Sequence, residues 1–512
     1  QELRELQRVW RDSLPTANRR QMLKWSTLAA GAIATARFGV ASAAPKSTGG
    51  WSPYTYQSDE ILTDQTITVP LDPYGQVVTL DPHRTVNWGP FWAIFPNVWG
   101  GLVRYDENAK VQLDLAESFT VSEDGREYQF KIRSDAKYAN GNQVKAEDFI
   151  SSWKRALDPE NPSPMVSYMQ PLRNYTKYMQ GTSKSIGIEA IDESTVGIKL
   201  SKAYTYFPSY LASYVWSVVD PSVLKEKGDE EFALADAGTG PWRFTDFDAS
   251  TQLTMEPNEN HYDGVSPSIS KIVWSFVTGP TAASNALNLY KDDQAISADV
   301  PISLKASVES DPELSDELVS IDPSGSVRVL AMDWKQAPFD DVRVRLAFAL
   351  ATDRDKFSEI FEGTWTTTRS FTPPAVSVNS EYEAPQGPDR DVDAAKDLLK
   401  DAGFENGDGL PTITYYQPTE DPDEEKARWK SFLDTYTDAL GVEITHDTSK
   451  TLDEINQLRS DNGGTQFDFV WWWNTTETPY LLSQVFLSSS PFMKGYFTWA
   501  DSAAAQGALT PG

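Results

Sequence analysis

The sequence predicts a mixed α/β protein built on more than one core, and three observations carry that reading. Short stretches of alternating polarity, TITVPL, REYQFKI and STVGIKL, have the period of half-buried strands. They are interspersed with helical stretches, AEDFISSWKRAL, DDVRVRLAFALATDRDKFSEIF and DVDAAKDLLKDAG, and such interleaving argues for α/β layers over a sandwich or a bundle. At 512 residues the chain exceeds one ordinary core, and length alone suggests about three domain-sized units.

The first segment reads as an address. Arg19-Arg20 precede the weakly apolar run WSTLAAGAIATARFGVASAA, and residues 1–44 as a whole resemble a twin-arginine export signal with Ala41-Ser42-Ala43 as the small-residue cleavage site. Arg37 interrupts the run, so a membrane span is not expected. Export of this kind places the mature protein outside the cytoplasm, in a periplasm or another extracytoplasmic compartment. With no cysteine the chain can form no disulfide, no thiolate metal site and no lipid anchor through that residue.

Further along, a strand at Tyr128 is followed by Asp135, Lys137 and the tight Asn140-Gly141 turn, whose glycine suits a left-handed backbone. A helix is expected from about Ala146, with Glu147 and Asp148 at its positive end. The turn signals Gly238-Thr239-Gly240-Pro241 and Asn258-Glu259-Asn260 mark 238–264 as the place to expect a crossing between lobes. In PFDDVRVRLAFALATDR, Val344, Phe348 and Ala351 recur at helical spacing as a buried face, and Arg343 and Arg345 leave on another. The acids Asp389, Asp391 and Asp393 open like a calcium loop. Ala394 stands where such a loop needs glycine and Lys400 where it needs a carboxylate, so the run is read as the acidic start of a helix.

A formal charge of −29, from 74 acidic against 45 basic residues, repels phosphate backbones, so nucleic acid is not an expected partner. The three histidines, His83, His261 and His446, are too dispersed for an imidazole-rich metal site, and no P-loop, dinucleotide fingerprint, zinc-protease or nucleophile-elbow motif occurs. Neither metal nor cofactor is expected.

Several blocks taken in order point to one family. TLDPHR, VWGGLVRYDENAKVQLDLAESFTVSEDGREYQF, the YQFKIRSDAKYANGNQVKAEDFISSWKRALDP stretch, GTGPWRF, ENHYDG, PFDDVRVRLAFALATDR and AAKDLLKDAGFENGDGLPTI together resemble solute-binding family 5, the oligopeptide- and dipeptide-binding proteins of peptide-type ABC importers. The resemblance implies a two-lobed periplasmic-binding-protein fold of the large, peptide-binding type. Its first lobe would lie at 60–278, with an inserted subdomain at about 99–220, and its second at 279–512. It implies a receptor rather than an enzyme, monomeric, that closes on an oligopeptide and delivers it to ABC permease subunits. Family members continue with further helices where this chain passes into ADSAAAQGALTPG, so an incomplete C-terminus is expected.

The resemblance also implies a site in which the peptide is held through its main chain as an added strand. On the first lobe the matching residues are Val86, Asn87 and Trp88, and on the second Trp472, Trp473 and Asn474; Met165 stands where relatives carry a tyrosine. The family's W-x-x-D-Y-x-x-P is altered here. Thr475 takes the place of the aspartate that grips the peptide's ammonium group, and Glu477 is the nearest acid. Three adjacent tryptophans, Trp471 to Trp473, could instead stack on sugar rings, which keeps an oligosaccharide-binding receptor of the same superfamily open. Alternate members of the run could also fill a strand's core, with Trp472 facing opposite its neighbours. From other classes come a Trp-rich glycoside hydrolase working through paired carboxylates and a sensory receptor feeding a signalling partner.

Overall fold

Alternation of large apolar with polar residues builds the first sheet. The structure, a computed structural model, describes residues 65–473 except 73–76, 78, 86–93, 107–109, 205–206, 265–268, 280, 320–325, 366, 371–385 and 461–464. In chain order its first part contains β1 (Gln65–Leu71), β2 (Val103–Tyr105), β3 (Val111–Leu113), β4 (Ala116–Val121), β5 (Glu127–Ile132), α1 (Ala146–Ala156), β6 (Ile188–Asp192), β7 (Thr195–Lys199), α2 (Pro221–Glu231), β8 (Trp242–Asp248), β9 (Gln252–Pro257) and β10 (Ile269–Phe276). In β5, Tyr128, Phe130 and Ile132 are buried while Glu127, Gln129 and Lys131 are exposed, the period of a strand with one face on a core. It sits inside an antiparallel sheet of order β4-β5-β7-β6. The buried stripe of α1 runs Ala146, Phe149, Ile150, Trp153, Ala156, and the Asp148 carboxylate accepts from the Lys145 N–H at 2.9 Å to close its first turn. The turn before it needs its glycine, because Gly141 stands at φ 89°.

A second four-stranded sheet has the order β1-β10-β9-β8, with β1 parallel to β10 and the other pairs antiparallel. Residues 238–264, expected to cross between lobes, do not. Phe244, Leu253 and Met255 belong to the same core as Phe95, Trp99 and Phe130. The turn signals there serve a clasp: an added Cβ on Gly238 would meet the Val98 carbonyl at 2.3 Å, and one on Gly240 the Asn97 carbonyl at 2.3 Å. The Thr239 hydroxyl accepts from Gly100 N–H at 3.1 Å, and Tyr262 Oη donates to the buried Asp114 at 2.6 Å. The GTGPWRF and ENHYDG blocks thus fasten the second sheet onto the loop before β2.

A buried ionic network explains the TLDPHR block. Asp81 and His83 are buried, and Arg155 at the end of α1 donates to both Asp81 carboxylate oxygens, one of them at 2.9 Å. The same guanidinium lies 3.1 Å from His83 Nδ1 and 2.8 Å from Asp229 on α2. His83 Nε2 faces the Ser217 carbonyl at 3.2 Å, and burial, opposed by the Asp81 charge, pushes the imidazole down to about 4.

After β10 come α3 (Ala282–Lys291) and α4 (Ile302–Ser310), packed around Leu287, Val308 and Leu314. The last described part contains β11 (Ser326–Met332), α5 (Val342–Ala351), α6 (Arg354–Ile360), α7 (Val392–Asp401), β12 (Ile413–Tyr416), α8 (Asp423–Leu440), β13 (Ile444–Asp447), α9 (Leu452–Ser460) and β14 (Phe467–Trp473). Aspartates punctuate the helices. Asp341 caps α5 through Arg343 N–H, Asp353 caps α6 through Lys356 N–H, and Asp391 caps α7 through Ala394 N–H, so the run at 389–393 is the acidic start of a helix. On α5 the face Val344, Ala347, Phe348, Ala351 is buried as its spacing requires, while Val342 (62%) and Leu346 (43%) are exposed. This second core gathers Phe339, Phe348, Trp429, Phe432, Tyr436, Phe467 and Phe469.

Candidate functional site

Where the two cores meet, β11 and β14 run antiparallel, with Val327 opposite Trp472, Arg328 opposite Trp471 and Ser326 opposite Trp473. The two faces of β11 serve different cores. Val327 and Val329 pack into the first, whereas Leu330 and Met332 pack on the second, where Phe467 and Phe469 of β14 are buried. The start of β11 and the end of β14 therefore stand at the junction of the cores. Strand alternation assigns the backbone position of Trp473 to the Arg328 face and that of Trp472 to the Val327 face.

Of the residues expected at the site, Trp472 and Trp473 are thus brought to the junction by the register of β14. Asn474, Thr475 and Glu477 lie outside the described residues, as do Val86, Asn87 and Trp88. Met165 is 1% exposed and part of the first core.

Sequence reasoning missed a group of side chains beside the end of β14. Arg328 lies with its guanidinium 4.4 Å from the ring centre of Trp429 and 5.7 Å from that of Trp365, and its Nε donates to the Phe469 carbonyl at 3.2 Å. Gln417, buried just past β12, ties two strands to the next loop: its Oε1 faces His446 Nε2 at 2.9 Å and its Nε2 donates to Asp421 at 2.8 Å. β12 and β13 are parallel, so Gln417 and Asp421 lie at the carboxyl end of that pair, the edge at which open α/β sheets bind ligands. No spacing rule could have united Arg328 with Asp421. The local text around Asp421, DPDEEK, carries only the signal of a helix start, which it also is.

Among the described residues no group of three or more His, Asp or Glu side chains is arranged to hold a metal ion, and no helix is long and apolar enough to cross a membrane. Burial pushes Asp114, Asp148, Asp421 and Glu425 above the usual carboxylate range; Asp114, Asp148 and Asp421 accept hydrogen bonds from Tyr262, Tyr138 and Gln417, and the Trp429 indole N–H faces Glu425.

Similar proteins agree on fold and family. The chain is 26% identical to the dipeptide-binding protein DppE of Bacillus subtilis over 72% of this chain and 68% of that one, and 26% identical to the periplasmic oligopeptide-binding protein OppA of Salmonella typhimurium over 70% of each. The glutathione-binding protein GsiB of Escherichia coli is 28% identical over 64% of this chain and 60% of its own. The chain thus spans 60% to 70% of the length of these curated relatives. Among solved structures, a periplasmic oligopeptide-binding protein of Borrelia burgdorferi superposes with a TM-score of 0.72 at 23% identity over 84% of each chain. The murein tripeptide binding protein MppA of Escherichia coli gives 0.72 at 20% over 88% of each. Both share the two-lobed fold. The model of the bacterial extracellular solute-binding proteins, family 5, matches residues 110–494, and the chain belongs to that family.

Proposed function

We propose that this protein is the extracytoplasmic receptor of an ABC importer and captures oligopeptides between its two lobes for delivery to the permease. The observation that supports the reading most is the antiparallel β11/β14 pair at the junction of the two cores, whose Trp472–Trp473 end is the edge to which we propose such a ligand adds as a strand. Support comes from the family match and from relatives named for dipeptides, oligopeptides and glutathione. In this reading the first lobe is 60–278, with its insert at 99–220, and the second lobe starts at 279. Val86, Asn87 and Trp88 of the first lobe and Trp472, Trp473, Asn474, Thr475 and Glu477 of the second are the residues proposed to contact the peptide, together with Met165, which is buried in the first core.

The test is a thermal-stability screen of the full chain. At a hundred times the dissociation constant a bound peptide adds about 2.7 kcal/mol of stability. Stabilisation by mixed short peptides and not by cello- or xylo-oligosaccharides is expected; the opposite pattern would move the assignment to sugar uptake, and hydrolysis of any sugar would move it to a glycosidase. Export from the cytoplasm to a periplasm or another extracytoplasmic compartment is proposed to use Arg19-Arg20. Replacing both by lysine should retain the precursor inside, and normal export of that variant would refute the route.

A further inference from the structure

A small cavity at the edge of the first core has a lining richer in oxygen than packing requires. Gly101, Val103 at the start of β2, Asp114 just past β3, and Ser213 converge on a space of about 10 Å³, room for one atom the size of a water molecule. Asp114 is 7% exposed and Ser213 3%. Among the described residues no group hydrogen-bonds the Ser213 hydroxyl, an uncommon condition for a buried side-chain oxygen. The Asp114 carboxylate accepts from Tyr262 Oη at 2.6 Å and from the Gly101 N–H at 3.1 Å, so about half of its acceptor positions are left for another group.

Backbone oxygens complete the lining. A methyl group added at Gly101 would stand 3.6 Å from the carbonyl oxygens of Leu211 and Val103 and 3.7 Å from that of Trp216. Hydrogen bonds between the β2 and β3 segments join Asp114 to Leu102 and Asp106 to Lys110, and the alternation of an antiparallel ladder then turns the Val103 carbonyl away from β3. The Trp216 oxygen takes the Trp153 indole N–H at 2.8 Å and keeps one lone pair. Two positive groups bear on the carboxylate, and both act through space: Arg104, exposed at the rim of the cavity, and His261.

We propose that Asp114, Ser213 and the carbonyls around Gly101 form a site for one monovalent cation, sodium or potassium, that fastens the loop before β2 to the 207–217 segment. The site lies within the first core and does not depend on the peptide-capture reading. A water molecule can donate to two of these oxygens at most, whereas a hard cation takes all of them as ligands. One carboxylate balances one positive charge, and among the described residues no group of three or more acids or histidines is arranged for a divalent ion. A cation here also compensates the hydration that Asp114 loses on burial.

Thermal melts of the full chain in chloride salts at one ionic strength test the assignment, with sodium, potassium or tetramethylammonium as the cation. Matching the ionic strength holds constant the general screening of the −29 charge. Sodium or potassium should raise the melting temperature above its value in tetramethylammonium by about 5 °C or more at a hundred times the dissociation constant. The more stabilising of the two is then the ion of the site. Gly101→Ala sets a methyl group among the three carbonyls at ordinary contact distances, so it should keep the fold and abolish the difference between cations. Asp114→Asn should abolish it as well, and Ser213→Ala should weaken the apparent cation affinity by about tenfold. If Asp114→Asn does not fold, Gly101→Ala decides alone. A melting temperature that follows ionic strength whatever the cation assigns the cavity to water and overturns the proposal, and so does a cation preference that survives in Gly101→Ala.

Discussion

Arg155→Met should unfasten the first lobe more than its surface position at the end of a helix suggests. The guanidinium is 12% exposed and its partner Asp81 only 2%, so the substitution strands a carboxylate inside the core. Breaking a buried pair from one side costs about 3–5 kcal/mol, against roughly 0–1 kcal/mol for an exposed pair. The His83 N–H still donates to Asp81 at 2.8 Å and offsets part of the loss, which places the expected value near 3 kcal/mol at the lower end. For a lobe of this size that corresponds to a fall in melting temperature of roughly 6 °C or more. The matching double variant, Asp81→Asn with Arg155→Met, removes both charges at once and should recover most of the deficit. Denaturant melts of the wild type, both single variants and the double variant close the cycle. A loss below about 1 kcal/mol for Arg155→Met, or a double variant no more stable than it, would refute the claim that TLDPHR acts through this network.

Three further outcomes are expected. His83 is held neutral down to about 4, whereas an unfolded imidazole takes its proton near 6.5. The unfolded state therefore binds the extra proton in that window, and stability should be lost as pH falls from 6.5 towards 4, by about 1.4 kcal/mol per unit and roughly 3 kcal/mol in all. His83→Gln should flatten the slope by one proton between pH 6.5 and 4, and an unchanged slope would show that other groups carry it. Trp472 and Trp473 take opposite faces of β14, so Trp473→Ala should weaken peptide binding by about 1–3 kcal/mol with little effect on stability. Trp472→Ala, opposite the packed Val327, should do the reverse, and affinity loss confined to Trp472→Ala would exchange the two roles. If Thr475 stands in the aspartate's place, as the proposed site has it, no carboxylate is stranded when a peptide's N-terminus is acetylated. Blocked and free forms should bind within about 1.4 kcal/mol of each other, and calorimetry showing a hundredfold loss would mean that Glu477 or another acid grips the ammonium group.

Local regularities were legible in the sequence because they depend on neighbours in the chain. The strand at Tyr128–Ile132 followed from alternation, α1 from its apolar stripe and acidic first turn, the buried face of α5 from its spacing, and the acidic start of α7 from capping chemistry that acts over three residues. The blocks TLDPHR, GTGPWRF and ENHYDG were legible as a family resemblance, yet their purpose was not. Only packing showed that Asp81 meets Arg155 and that Gly238 and Gly240 lie against the carbonyls of Val98 and Asn97, so that 238–264 is a clasp within one core rather than a crossing. The candidate site shows the same division. The position of Trp472 and Trp473 on a strand follows from the sequence, but which face each takes is decided by the register against Val327 and Ser326. The group formed by Arg328, Asp421, Glu425 and Trp429 joins segments far apart in the chain, because electrostatics and desolvation act through space, and no local pattern records which segments folding brings together.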